Sequence, residues 1–217
     1  MKNKSLAKLI DNITYVSELP RDYIGASSIG YECWRQIWYE FNGFEGLEVP
    51  NKTKRTWEVG KGLEILVIEW LEATGLNITN TWIDLRDDEL PYFRGHVDAL
   101  LMNKDNQPKE IIEIKTAKDG SFNSFVKNGL KKWQPKYYAQ IQSYMGMSGI
   151  HSATILVLNK DNSDLFDEKV TFSPEFYNSL KNKAKAIHDS KTEPPRISGN
   201  PLWFTCKTCR FRKECHS

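Results

Sequence analysis

Two charged residues interrupt an otherwise apolar run, Ile111-Ile112-Glu113-Ile114-Lys115, and an earlier run, Gly95-His96-Val97-Asp98, ends in an acid. Burying such charges costs several kcal/mol unless they are paired or bound to an ion. Strand side chains alternate, so Glu113 and Lys115 share one face. Asp98 belongs to the preceding strand, which is expected to lie beside this one as a hairpin neighbour. Two carboxylates and the Ile114 carbonyl oxygen suit Mg²⁺ or Mn²⁺, hard ions that prefer oxygen. Such an ion lowers the pKa of a bound water and offsets charge building on a phosphate. Lys115 is then placed to orient that water or to stabilise the developing negative charge. This is the chemistry of phosphodiester cleavage. Glu113 and Lys115 also fit a plain strand-end salt bridge.

The elements that must position these groups can be read on either side. Residues 56–74 predict a helix with Leu63, Leu66, Val67, Trp70 and Leu71 on one stripe, closed by Gly75. On its wheel Glu64 falls between Leu71 and Ile68, inside the apolar face, while Glu69 and Glu72 fall opposite. Glu64 is therefore a candidate third carboxylate. His96 precedes Asp98 on the same strand face and is either a substrate contact or a hydrogen-bonded structural histidine. Helices are further expected at 27–41, 133–147 and 174–188, the last capped by Ser173 with Pro174 at its first position. Strands are expected at 78–86, 92–102, 109–116, 152–158 and 166–172, with a turn at Asn103-Lys104-Asp105-Asn106. This order predicts one α/β domain, a mixed central sheet flanked by helices.

The chain of 217 residues suffices for a single domain, and its +2 net charge does not by itself argue for nucleic acid. Local basic runs do, among them Lys127, Lys131, Lys132 and Lys136, and Arg210, Arg212 and Lys213. The same runs fit solvated helix faces. No stretch approaches the about 20 apolar residues of a membrane span, and the N-terminus lacks the apolar run of a signal peptide. The expected location is cytoplasmic, where thiols stay reduced. The four cysteines then read as ligands or core residues rather than disulfides.

Taken in order, Gly60-x-x-x-Glu64, Gly95-x-x-Asp98, Glu113-x-Lys115 and Gln140-x-x-x-Tyr144 resemble the PD-(D/E)XK nuclease superfamily. The chain looks most like the RecB-like nucleases and the viral alkaline-type exonucleases, from about Ser27 to Cys215. The resemblance implies a restriction-endonuclease-like core in which Asp98 and Glu113 bind metal and Lys115 assists catalysis. It also implies that Gln140 and Tyr144, on one helix face with Tyr137, contact DNA; an amphipathic helix with buried tyrosines is the alternative. RecB-like nucleases usually carry a metal-binding histidine where this chain has Glu64. Glutamate there looks more like the phage exonuclease branch and favours an all-oxygen site.

Cys206-x-x-Cys209-x5-Cys215 lies at the C-terminal end, and Cys33 supplies a distant fourth thiol. This frame resembles the iron–sulfur RecB-like nucleases, including the AddB subunit and the CRISPR-associated adaptation nucleases. The resemblance implies a 4Fe-4S cluster on Cys33, Cys206, Cys209 and Cys215 that staples the tail (196–217) to the N-terminal helix, with residues 1–26 as an extension. Zn²⁺ on the same thiolates is the alternative, as are unligated core cysteines. The expected function is a metal-dependent DNA exonuclease acting at duplex ends or on single strands, in recombination, repair, or phage or CRISPR DNA processing. Recombination or CRISPR-adaptation proteins are possible partners, and an oligomer is possible. The alternatives are a non-catalytic DNA-binding module of such a complex and a restriction-type endonuclease.

Overall fold

The computed structural model describes residues 5–15, 21–79 and 83–217. Its strands are β1 (Ile24–Gly25), β2 (Ile78–Thr79), β3 (Ile83–Arg86), β4 (Phe93–Val97), β5 (Ala99–Met102), β6 (Pro108–Ala117), β7 (Ser152–Asn159) and β8 (Leu165–Thr171). Its helices are α1 (Leu6–Asp11), α2 (Ala26–Ile29), α3 (Trp34–Phe41), α4 (Asn51–Ala73), α5 (Asp119–Asn128), α6 (Leu130–Trp133), α7 (Pro135–Ser148), α8 (Pro174–Asp189), α9 (Phe204–Thr208) and α10 (Arg212–Cys215). Among the described residues no helix is long and apolar enough to cross a membrane.

Five strands form the main sheet in the order β2-β5-β6-β7-β8, and three form a smaller one, β1-β4-β3. β6 is central. It pairs antiparallel with β5 and parallel with β7, and its middle residues Glu110–Ile114 are all buried. That burial on both faces explains its near-continuous apolar sequence. One face of β6, through Ile112 and Ile114, packs on Val67 and Ile68 of α4. The other, through Ile111, packs on Ile141, Tyr144 and Met145 of α7. Glu113 and Lys115 share the α7 side by alternation.

The helix–sheet alternation matches the sequence reading, and several boundaries do not. The strand expected over 92–102 is two strands in different sheets, broken at Asp98. The strand expected over 78–86 likewise divides into β2 and β3, with 80–82 outside the described residues. The helix expected over 27–41 breaks into α2 and α3. At the break Gly30 lies against α7, where a Cβ would stand 2.5 Å from the Lys136 backbone. Leu66 and Trp70, expected on the buried stripe of α4, are exposed, and the helix buries a narrower strip through Val67 and Ile68. Of the expected N-terminal extension, residues 1–4 and 16–20 lie outside the described residues, while Ile24 and Ala26 are core residues. Helices α5 and α6 have no counterpart in the sequence reading.

Candidate active site

Asp98 stands where the chain leaves the small sheet for the large one. It precedes β5, the antiparallel neighbour of β6, so it lies beside the middle of the central strand. Its Oδ2 accepts the Ile114 N–H at 2.8 Å, which fixes the carboxylate at the junction. Lys115 Nζ sits 3.7 Å from that oxygen, forms a close ion pair with Glu113, and donates to the Ile114 carbonyl at 3.1 Å. The Ile114 oxygen expected to face a metal is thus occupied by the lysine.

Glu113 is completely buried; its Oε1 meets only the Lys115 ammonium and its Oε2 has no hydrogen-bond partner. Burial and the neighbouring Asp98 charge push its carboxyl up to about 8, against the pull of Lys115. Glu64, on the half-buried face of α4 as expected, is pushed up to about 8 by burial, by Asp98 and by a hydrogen bond with Asp98. Lys115 is held protonated well above the ordinary lysine range because Glu113 and Asp98 together outweigh its own desolvation. The pair is therefore lopsided. One ammonium is shared among carboxylates, and it cannot hold all of them ionised in a dry site. Among the described residues no three acidic, histidine or cysteine side chains are arranged to hold a single metal ion.

The helix α7 closes this site from the other side. Gln140 Nε2 donates to the Tyr144 hydroxyl at 2.6 Å, and both side chains are buried. Tyr144 is raised well above the ordinary tyrosine range, first by burial and then by Glu113. Gly95 makes this approach possible, because a Cβ there would stand 2.5 Å from the Tyr144 ring. Lys115 Nζ lies 5.4 Å from the Tyr137 ring centre, and Lys136 Nζ lies 4.9 Å from it on its own helix.

A cavity of about 310 Å³ opens from Lys115. Gln140, Tyr137 and Lys136 line it from α7, and Ser27, Ser28 and Tyr31 from α2 and the following connector. Arg21 completes a basic lining against the single acid Glu40. Sequence reasoning had Lys136 only in a basic run, and it did not single out Arg21 or Tyr31. Nothing local marks the latter pair. They reach the site because β1 pairs with β4 and α2 packs on α7.

His96 is not brought to this cluster. It faces Asp84 on β3, with 3.8 Å between Nε2 and Oδ1, on an exposed face.

The four cysteines converge elsewhere. Cys33, Cys206, Cys209 and Cys215 line one cavity with Arg35, Tyr39 and His216. The tail is tied there by Arg35, whose Nε donates to the Pro194 carbonyl at 2.6 Å and whose guanidinium pairs with Glu193 at 2.9 Å. Phe211 is buried against Tyr39 of α3, and Leu47 N–H donates to the Arg210 carbonyl at 2.7 Å. Burial raises the Cys206 and Cys209 thiols.

Residues 21–151 match the YqaJ-like viral recombinase domain, a span holding Glu64, Asp98, Glu113, Lys115, Gln140 and Tyr144. The chain belongs to the YqaJ-like viral recombinase family. The PD-(D/E)XK resemblance is thereby upheld, since this is a family of that superfamily. The three C-terminal cysteines of this YqaJ-like chain lie beyond the matched span. Among curated protein sequences none matches the chain. In structure it is similar to the alkaline exonuclease LHK-Exo from Laribacter hongkongensis, crystallised with dAMP: TM-score 0.61, 15% identity, covering 78% of this chain and 87% of that one. It is similar to SSO0001, with TM-score 0.60, 15% identity, and 98% and 96% covered. A phage-related exonuclease from Haemophilus somnus gives TM-score 0.53 and 18% identity over 71% and 77%. At these identities the likeness establishes the fold.

Proposed function

We propose that this YqaJ-like chain is a divalent-metal-dependent DNA exonuclease that hydrolyses phosphodiester bonds at duplex ends or on single strands, in recombination, repair or phage DNA processing. One observation carries the reading: Glu64, Asp98 and Glu113 converge on Lys115 at the end of an open, basic cavity. The donor set fits Mg²⁺ or Mn²⁺. Glu113 carries a buried Oε2 without a hydrogen-bond partner, and two of the three carboxyls are raised to about 8 by burial and by the neighbouring Asp98 charge. Asp98 and Glu113 would hold the ion, with Glu64 hydrogen-bonded to Asp98 beside them; the ion would supply charge neutralisation at the phosphate and a more acidic water.

The chain's own groups do the rest. Lys115, kept protonated, stabilises negative charge developing on the phosphate or orients the attacking water. The Asp98 carboxylate is held in place by the Ile114 N–H. The basic lining formed by Arg21 and Lys136 attracts the backbone, and Tyr31 and Tyr137 offer rings to unpaired bases. Gln140 presents its amide to the same space and is itself held by Tyr144.

For the thiol cavity we propose a 4Fe-4S cluster on Cys33, Cys206, Cys209 and Cys215, stapling the tail to α3. What supports this reading is that four thiols distant in sequence line one cavity; Zn²⁺ on the same thiolates is the alternative. Incubating the protein with Mn²⁺ and end-labelled linear DNA, beside a closed circular plasmid, tests the function. Release of labelled nucleotides from the linear substrate alone is expected. Cutting of the circle at fixed positions indicates a restriction-type endonuclease. Binding without cleavage of either substrate contradicts the enzyme reading.

A further inference from the structure

Outside the carboxylate cluster, Lys183 of α8 is committed to two backbone carbonyls. Its Nζ donates to the Ile29 carbonyl at 2.7 Å and to the Tyr31 carbonyl, and it lies 5.8 Å from the Trp34 ring centre. Burial lowers its pKa to about 8, with Cys33 and Glu32 acting in the opposite direction. A lysine held this way is not a solvated surface charge. It gives up hydration for two backbone carbonyls, one on the last residue of α2, where such oxygens lack helical partners, and one in the connector beyond it.

Those carbonyls flank the connector between α2 and α3, and each end of that connector serves a different cavity. Tyr31 lines the basic cavity that opens from Lys115, and Cys33 lines the thiol cavity. On the opposite side Gly30 is pressed against the Lys136 backbone, leaving no room for a Cβ. The connector is thus gripped between α7 and the Lys183 ammonium. Two other α8 side chains hold the loop leading into β4 in a similar way. Tyr177 donates to Asp87 at 2.5 Å and Lys181 pairs with Asp87 at 3.3 Å.

We propose that Lys183 is a positioning residue of the substrate groove: it fixes the Gly30–Cys33 connector so that Tyr31 stands in the groove and Cys33 stands in the thiol cavity. The inference rests on the groove being the DNA site.

The experiment uses the full chain with Lys183→Met and Lys183→Gln, Tyr31→Ala, and the double variant Lys183→Met/Tyr31→Ala. Backbone hydrogen exchange in the 28–34 segment is expected to quicken about tenfold in Lys183→Met and about threefold in Lys183→Gln, with β6 and β7 amides unchanged. KM for a short single-stranded oligonucleotide is expected to rise about fivefold with kcat changed less than about twofold, the pattern of lost binding rather than lost chemistry. Lys183→Met and Tyr31→Ala should be markedly non-additive in KM, because one acts through the other. Unchanged exchange in the segment, or full additivity, overturns the proposal. Should Lys183→Met fail to fold, the exchange reading of Lys183→Gln decides alone. Quickened exchange in a protein whose wild type binds no DNA would uphold the positioning role and defeat the groove reading instead.

Discussion

Glu113→Gln is the perturbation with the clearest signature, because burial and Asp98 raise the Glu113 carboxyl against the pull of Lys115. Its titration moves from 4.5 to about 8 on folding. Between those values the native chain keeps a proton that the unfolded chain has released. Stability is therefore fully present below about 4.5 and declines as pH rises toward 8. A displacement of that size corresponds to at most about 5 kcal/mol. Because Lys115 is coupled to the same group and opposes the shift, we take about 2 kcal/mol as the part that survives relaxation of the site, or roughly 4–8 °C in Tm for a chain of this size. Melting curves from pH 5.5 to 8.5 in a chelator should show wild type losing that much relative to Glu113→Gln. Glu64 leaves a smaller slope of the same sign in both proteins. Mn²⁺ at pH 8.5 should restore the wild type and do little for the variant, since the ion replaces the missing positive charge. A wild-type Tm that stays level or rises relative to the variant across this range would refute the reasoning.

Three further outcomes are expected. Gly95→Ala should destabilise the protein by about 1–3 kcal/mol through overpacking and should lower nuclease activity by displacing Tyr144; an unchanged Tm would show that the ring yields freely. Asp98→Ala leaves the Ile114 N–H without its acceptor, costing about 1–3 kcal/mol, whereas Asp98→Asn keeps an acceptor and should melt closer to wild type while losing metal-dependent cleavage. Anaerobically purified protein should be brown, with absorbance near about 400 nm and equal iron and sulfide, and Cys33→Ser should abolish the colour; a colourless protein with one zinc per chain would replace the cluster.

The places of the candidate site residues were more legible than the element boundaries. Glu113 and Lys115 stood out because they interrupt a strand buried on both faces, and Glu64 because it falls inside an apolar helix stripe. Both signals are local and periodic. The split at Asp98 was not legible, because side-chain alternation runs on through a change of sheet and only pairing partners reveal it. The same holds for Tyr31, which is placed by a helix–helix contact between α2 and α7. Leu66 and Trp70 misled because an apolar side chain on a helix flank carries no mark of whether anything covers it. His96 shared a strand face with Asp98 in the sequence reading, but the chain changes sheets between them and the histidine turns to Asp84.

The central claim is that Lys115 and its carboxylates cut DNA. The most direct test is release of end label from linear DNA in Mn²⁺ by Lys115→Met, with its Tm measured in parallel. A folded variant slowed at least about a thousandfold is the predicted result, in line with the loss of a group that stabilises transition-state charge. Cleavage by that variant at the wild-type rate would contradict the account.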